Sequence, residues 1–275
     1  MPQMSLVDVP WIIAHPQARL VDLRWAAKGP PASERFHQGH LPGAVFVDLD
    51  RDLAAPGGPG RHPFPSPESF AALLGRLGIA EDTHVVAYDD GSGAIAARLW
   101  FMLRVHGHER ASLLDGGLKA WTDAGQSLST AETKVAPVPP RALRLDSSRL
   151  VDKAAVAARP RSTLLLDARA PERYRGDVEP VDKVAGHIPG AVNAPFAANL
   201  GPDGRFRPAA ELRELYSRLG AGSAASVIAS CGSGVTACHD LFALELAGVS
   251  GKLYVGSWSD WSSDPAAPIA TGAAP

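Results

Sequence analysis

Apolar positions along the chain follow two periods. Phe70, Leu73, Leu74 and Leu77 fall at i, i+3, i+4 and i+7 and predict one face of a helix, and Leu212, Leu215, Tyr216 and Leu219 repeat that spacing. Gly78 and Gly220 follow directly and predict where each helix stops. Between such stretches lie short β-rich apolar runs: Arg19 to Leu23, His84 to Tyr88 and Ser112 to Leu114, then Thr163 to Asp167, Ser226 to Ser230 and Lys252 to Val255. Strand runs alternating with helical patterns predict βαβ units, hence an α/β class with a mostly parallel sheet flanked by helices. Spacing alone does not fix the strand order.

The pattern occurs twice. Gly39-His40-Leu41-Pro42-Gly43-Ala44-Val45 returns as Gly186-His187-Ile188-Pro189-Gly190-Ala191-Val192, an offset of 147, and Leu20-Val21-Asp22-Leu23-Arg24 is echoed by Leu165-Leu166-Asp167-Ala168-Arg169 at 145. The two helical stretches are offset by 142, and Val85-Val86-Ala87 with Gly91-Ser92-Gly93 is matched by Val227-Ile228-Ala229 with Gly232-Ser233-Gly234. Four landmarks in one order indicate a duplication. Pro137, Pro139 and Pro140 interrupt helix or central strand and favour an extended connection. Two similar domains are expected, at 1–130 and 145–275, joined by a linker at 131–144.

Composition narrows the function classes. A chain of 275 residues, 45% hydrophobic and 20% charged, has the profile of a globular protein, which excludes disordered, collagen-like and coiled-coil architectures. With 27 Lys+Arg against 29 Asp+Glu, the net charge of -2 offers no footprint for nucleic acid, so a small ligand or a partner protein is expected. Met1 to His15 lacks the pattern of a secretory signal, and no apolar stretch reaches the roughly 18 residues that span a bilayer. The expectation is a cytoplasmic protein without membrane contact, whose two cysteines are thiols.

The candidate chemistry sits in the second half. Ser226 to Cys238 reads as a buried strand, a Gly-Ser-Gly turn and a helix running to about Ala247, which places Cys231 at the carboxyl end of a strand. Ligands of open α/β sheets bind at that edge, and the unpaired N–H groups of a helix start favour negative charge on a nucleophilic sulfur. Gly232 and Gly234 let the backbone wrap closely around whatever the sulfur carries. Cys238, two turns into the helix, reads as a packing thiol. The first half carries Asp90 in the corresponding place if one residue is inserted before it, and an aspartate cannot do thiol chemistry. His106 and His108 flank Gly107 without a third ligand nearby and are read as a turn, so no metal is expected.

Together, the Cys231-Gly232-Ser233-Gly234-Val235-Thr236-Ala237 loop, the two Gly-His-Leu/Ile-Pro-Gly-Ala segments and the duplication resemble the tandem-domain rhodanese family of sulfurtransferases. The resemblance implies two rhodanese-like domains, the first inactive and the second catalytic. Cys231 would take sulfur from a small-molecule donor as a persulfide and pass it to cyanide, a dithiol or thioredoxin, without a cofactor. The loop N–H groups of Gly232, Gly234, Val235 and Thr236 would stabilise the persulfide's charge. Members that prefer thiosulfate carry Arg and Lys at the two positions after the cysteine. Here Gly232 and Ser233 stand there, a neutral form that resembles the members using 3-mercaptopyruvate, with the Ser233 hydroxyl handling protons.

Arg173 matches the family's arginine for the donor's carboxylate. A second arginine is missing, Val181 lying near its place, and Lys183 is the residue that could compensate. His40 has two readings: a turn residue like its twin His187, or, by resemblance, a contributor to proton transfer, with Glu34 the nearest carboxylate. Cysteine phosphatases share the strand–loop–helix arrangement but need an arginine where this chain has Ala237, which disfavours phosphate transfer. Thiosulfate transfer and a purely binding role are the remaining alternatives.

Overall fold

The computed structural model describes residues 4–26 and 28–275. It divides into two compact units: the first holds the described residues up to Ala55, Pro65–Asp146 and Pro202–Arg205, and the second holds Pro56–Phe64, Ser147–Gly201 and Phe206–Pro275. Two segments therefore depart from a division by chain order. Pro56–Phe64 belongs with the second unit although it lies in the first half of the chain, and Pro202–Arg205 belongs with the first. The proline-rich 131–144 stretch has no regular secondary structure and belongs to the first unit, where Val138 N donates to Gly75 O at 3.0 Å.

The first unit has a five-stranded sheet of β1 (Leu6–Val7), β2 (Arg19–Asp22), β3 (Val45–Phe46), β4 (Val85–Tyr88) and β5 (Ala111–Leu114), in the order β1-β5-β4-β2-β3. The second repeats it with β6 (Leu150–Val151), β7 (Thr163–Asp167), β8 (Ala191–Asn193), β9 (Ser226–Ser230) and β10 (Lys252–Tyr254), in the order β6-β10-β9-β7-β8. All pairings in both sheets are parallel. The central strands β4 and β9 are apolar because parallel sheets are covered on both faces: Val85, Val86, Val227 and Ile228 are buried.

The helices at Pro67–Arg76 and Ala209–Arg218 carry the apolar faces that the spacing predicts, with Phe70, Leu73, Leu74, Leu212 and Tyr216 buried. Each chain path then turns through a left-handed glycine, Gly78 at φ +64° and Gly220 at φ +99°. The repeated Gly-His-x-Pro-Gly-Ala unit does the same work in each unit. The His40 ring stacks on Phe36 at 3.9 Å and its Nδ1 bonds Phe36 O, while the His187 ring stacks on Tyr174 at 3.8 Å and its Nδ1 bonds Tyr174 O.

In the second unit the chain leaves β7 for β8 on one side and β9 on the other. That reversal opens a crevice at the carboxyl ends of β7 and β9, where α/β sheets hold ligands. The equivalent place in the first unit is filled from within. Asp22 pairs with Tyr88 and Asp167 with Ser230, so the register puts Asp89, not Asp90, in the position of Cys231. The expected insertion thus falls after this position rather than before it. Asp89 Oδ1 accepts from the amides of Gly91 and Gly93, and Oδ2 from those of Ile95 and Ala96. Burial raises the Asp89 carboxyl above its ordinary range, and these four amides pull it back. Asp90 instead faces outward and pairs with Arg35 at 3.0 Å.

Removing the Asp89 carboxylate leaves buried amides without an acceptor. Asp89→Ala should cost about 3 kcal/mol in urea unfolding, and Asp89→Asn, which keeps one acceptor oxygen, less. An unchanged midpoint for Asp89→Ala would remove the carboxylate from this role.

Candidate active site

Cys231 follows the last residue of β9 and is 1% exposed. Its Sγ accepts from the Gly234 amide at 3.1 Å. The loop is held from behind by the short helix Ser257–Trp261: Trp258 N donates to Cys231 O and Ser259 N to Gly232 O, both at 2.9 Å. Because a trans peptide points its N–H opposite to its C=O, tying these two carbonyls turns the amides of Gly232 and Ser233 the other way, into the loop. The Cys231 amide donates to Ser257 Oγ at 3.1 Å, and that hydroxyl donates on to Tyr254 O at 2.8 Å, 4.0 Å from the sulfur. Ser257 holds this position at φ +53°, a left-handed conformation that non-glycine residues rarely adopt. Val235 and Thr236 complete the turn into the helix Thr236–Leu246, and buried Cys238 donates to Gly234 O, a packing role.

Ser233 Oγ lies 2.7 Å from His62 Nδ1. His62 comes from the Pro56–Phe64 segment, which approaches closely because Gly57, Gly58 and Gly60 adopt positive φ. A Cβ at Gly60 would lie 2.5 Å from Gly256 O, so no other residue fits there. Arg61 N donates to Ser259 Oγ at 3.1 Å and fixes the segment to the same short helix.

Three guanidiniums gather beside the loop. Arg169 is buried, bonds Asp167 through Nε and Nη2, donates to Gly186 O at 2.8 Å and lies 4.7 Å over the Trp258 ring. Burial lowers its affinity for a proton, but pairing with Asp167 outweighs this, with Glu179 and the Cys231 sulfur adding to the rise. Arg173 donates to both oxygens of Glu179, at 2.6 and 3.2 Å. Burial pushes the Glu179 carboxyl up, yet Arg173 and the amides of Asp182 and Val181 hold it below its usual range. Arg61 pairs with Asp182. A methyl group on Gly232 would lie 3.0 Å from Arg61 Nη2 and 3.6 Å from Arg173 Nη1, so both cations border the loop.

The structure thus brings together Cys231, Gly232, Ser233, Gly234, Val235, Thr236 and Arg173. Lys183 is exposed and lines a pocket of about 570 Å³ with Arg61 and Asp182. His40 belongs to the first unit, fully buried, with Nδ1 on Phe36 O at 2.8 Å and Nε2 on Ala131 O at 3.2 Å. Both of its ring nitrogens are occupied by the backbone of that unit, and it shares the ring stacking and the Nδ1 bond to a backbone carbonyl with His187. The histidine that reaches Ser233 is His62. Among the described residues no group of His, Cys, Asp or Glu could hold a metal ion, and no helix is long and apolar enough to cross a membrane.

Comparison with known families finds one domain model twice along the chain. The rhodanese-like domain matches at residues 11–124 and again at 150–264. The chain belongs to the rhodanese-like family. Within it, a Pseudomonas aeruginosa protein named as a probable 3-mercaptopyruvate sulfurtransferase is 48% identical over 269 residues, 94% of each chain. A Mycobacterium tuberculosis protein, SseB, bears the name of a thiosulfate sulfurtransferase and is 43% identical over 93% of this chain and 91% of its own. The solved 3-mercaptopyruvate sulfurtransferase from Leishmania major superposes with a TM-score of 0.83 at 30% identity, covering 96% of this chain and 75% of that one. Each rhodanese-like unit of this chain has the same sheet order, and only the second places a cysteine at the end of its central strand.

Arg61, His62, Ser257, Glu179 and Asp182 are site neighbours that the sequence motifs did not single out. Gly57-Gly58-Pro59-Gly60 ahead of Arg61 and His62 was the available signal, a backbone built for close approach followed by two polar side chains. Ser257→Ala removes the acceptor of the buried Cys231 amide and should cost ~1–3 kcal/mol in chemical denaturation. A parent-like denaturation midpoint would show that the hydroxyl does not brace the loop.

Proposed function

We propose that the chain is a sulfurtransferase whose second unit moves sulfur from 3-mercaptopyruvate to a thiophilic acceptor through Cys231. The observation that carries this reading is the Ser233–His62 hydrogen bond of 2.7 Å beside a loop with no cation at Gly232 or Ser233. A mercaptopyruvate donor has a proton to relocate during transfer, whereas thiosulfate is a small dianion that needs charge and no proton relay.

In the first half-reaction the Cys231 thiolate attacks the donor's sulfur, an S–S bond forms and the donor's C–S bond breaks. The electron pair of that bond passes to carbon, and the proton from the donor's thiol ends there, giving pyruvate and a Cys231 persulfide anion. The Ser233–His62 hydrogen bond supports a role for this pair in carrying that proton. Arg173 binds the donor's carboxylate, as a guanidinium matches two carboxylate oxygens. The inward amides of the loop, with the Gly234 N–H already on the sulfur, offset the persulfide's charge. In the second half-reaction cyanide takes the outer sulfur as thiocyanate. A dithiol, free or in a protein such as thioredoxin, instead becomes a disulfide and releases hydrosulfide; such reductants fit a cytoplasmic setting. The first unit is silent in this scheme, because Asp89 fills the place of the cysteine.

Thiosulfate is the second reading, favoured by Arg61 Nη2 lying 3.0 Å from the Cβ position of Gly232, a cation within reach of the loop. Turnover of 3-mercaptopyruvate and of thiosulfate, each with cyanide, decides between them. The expected result is a higher kcat/KM for 3-mercaptopyruvate, abolished by Cys231→Ser, and a gain of about 32 Da, one sulfur, on Cys231 after donor alone. No turnover with either donor, or activity retained in Cys231→Ser, would overturn the proposal.

His62→Gln should lower kcat with 3-mercaptopyruvate by about 100-fold, the usual contribution of a proton-transferring side chain. A His40→Gln protein that folds should keep its Ser233–His62 pair and lose far less. The reverse ranking would return the proton-transfer role to His40.

A further inference from the structure

Around the loop three guanidiniums stand against three carboxylates before any donor arrives. Arg61, Arg169 and Arg173 face Asp167, Glu179 and Asp182. The three carboxylates are not held alike. Asp167 accepts from Arg169 through both oxygens and from the Arg169 amide. Glu179 takes two hydrogen bonds from Arg173 and the amides of Val181 and Asp182. Asp182 has only Arg61 on Oδ1. Its Oδ2 is buried without a hydrogen bond, 3.6 Å from Arg173 Nη2. It also sits between exposed Val181 and Lys183, on a stretch that lines the 570 Å³ pocket beside Arg61 and Ser259.

We infer that Asp182 is an internal place-holder for the donor's carboxylate: it lies between Arg61 and Arg173, and donor binding exchanges it for the incoming anion. This rests on the reading of a carboxylate-bearing donor given above. A further anion added to a balanced set would leave a carboxylate in excess in a half-buried site, which low dielectric opposes. Displacing the least-held carboxylate toward solvent restores the balance and frees Arg61, which borders Gly232 beside Arg173, while Arg173 keeps its bonds to Glu179. Burial already pushes the Asp182 carboxyl above its ordinary range, with Arg61 opposing and Glu179 adding to the rise, in line with its single hydrogen-bonding partner. Arg61 thereby becomes the second arm of the carboxylate site, supplied by the Gly57–Gly60 approach rather than by the segment after Arg173. Donor affinity is set by a competition inside the protein, as it is whenever the binding-competent state is only partly populated.

Asp182→Asn keeps size and hydrogen bonding but gives up the charge. In the full chain it should lower the KM for 3-mercaptopyruvate about tenfold, and pyruvate, which has the carboxylate but no sulfur to transfer, should bind about tenfold more tightly by calorimetry. Arg61→Gln should weaken pyruvate binding by a similar factor. Unchanged or weaker pyruvate binding in Asp182→Asn would overturn the exchange and make Asp182 a mere positioner of Arg61. Because pyruvate binding is read without turnover, that result is distinct from a parent protein that fails to use 3-mercaptopyruvate, which would sink the proposed function itself.

Discussion

Two hydrogen bonds govern the second unit: Trp258 and Ser259 amides on the carbonyls of Cys231 and Gly232. A loop after a strand has no preferred face, and its amides and carbonyls would share the interior. Fixing the carbonyls behind the loop commits the amides to the front, where the sulfur lies. The cost is visible at Ser257, held in a left-handed conformation so that its hydroxyl can take the Cys231 amide. Gly256 is needed for the same reason, since a Cβ there would lie 2.5 Å from the Asp260 side chain. Once the short helix Ser257–Trp261 is placed, its Ser259 hydroxyl also anchors Arg61, and His62 follows into contact with Ser233.

The duplicated chain provides an internal comparison. The same strand order and the same Gly-Ser-Gly turn occur in both units, yet one sets four amides on a carboxylate and the other sets the Gly234 amide on a sulfur. The cradle is therefore a property of the fold, and the residue that ends the central strand decides what it holds. In the first unit four amides already have their acceptor, and the site is closed to any further anion.

Much of this was legible in the sequence because it is local. The strand runs, the helix faces, the glycine stops and the Cys231 loop are each written in contiguous residues with a period or a turn rule. The position of Asp89 was not, since a one-residue choice of gap is settled by strand register and not by composition. His40 has its proton-transfer reading by resemblance alone, whereas the repetition of its segment points to a shared packing unit: each histidine stacks on a ring and bonds a backbone carbonyl through Nδ1. His62 and Arg61 have no such motif. Their place follows from three left-handed glycines that let the backbone cross to Gly256, a close approach that no hydrophobic pattern records.

The Pro56–Phe64 segment has a consequence for the history of the chain. A nine-residue excursion that lies in the first repeat by order, yet packs with the second, means that the repeats have ceased to be interchangeable modules. Cutting the gene at the proline-rich connection would yield a second half with its cysteine loop intact and with neither Arg61 nor His62 beside it. Duplication supplied two cradles, and the second now draws two of its neighbouring side chains from the first repeat's stretch of sequence.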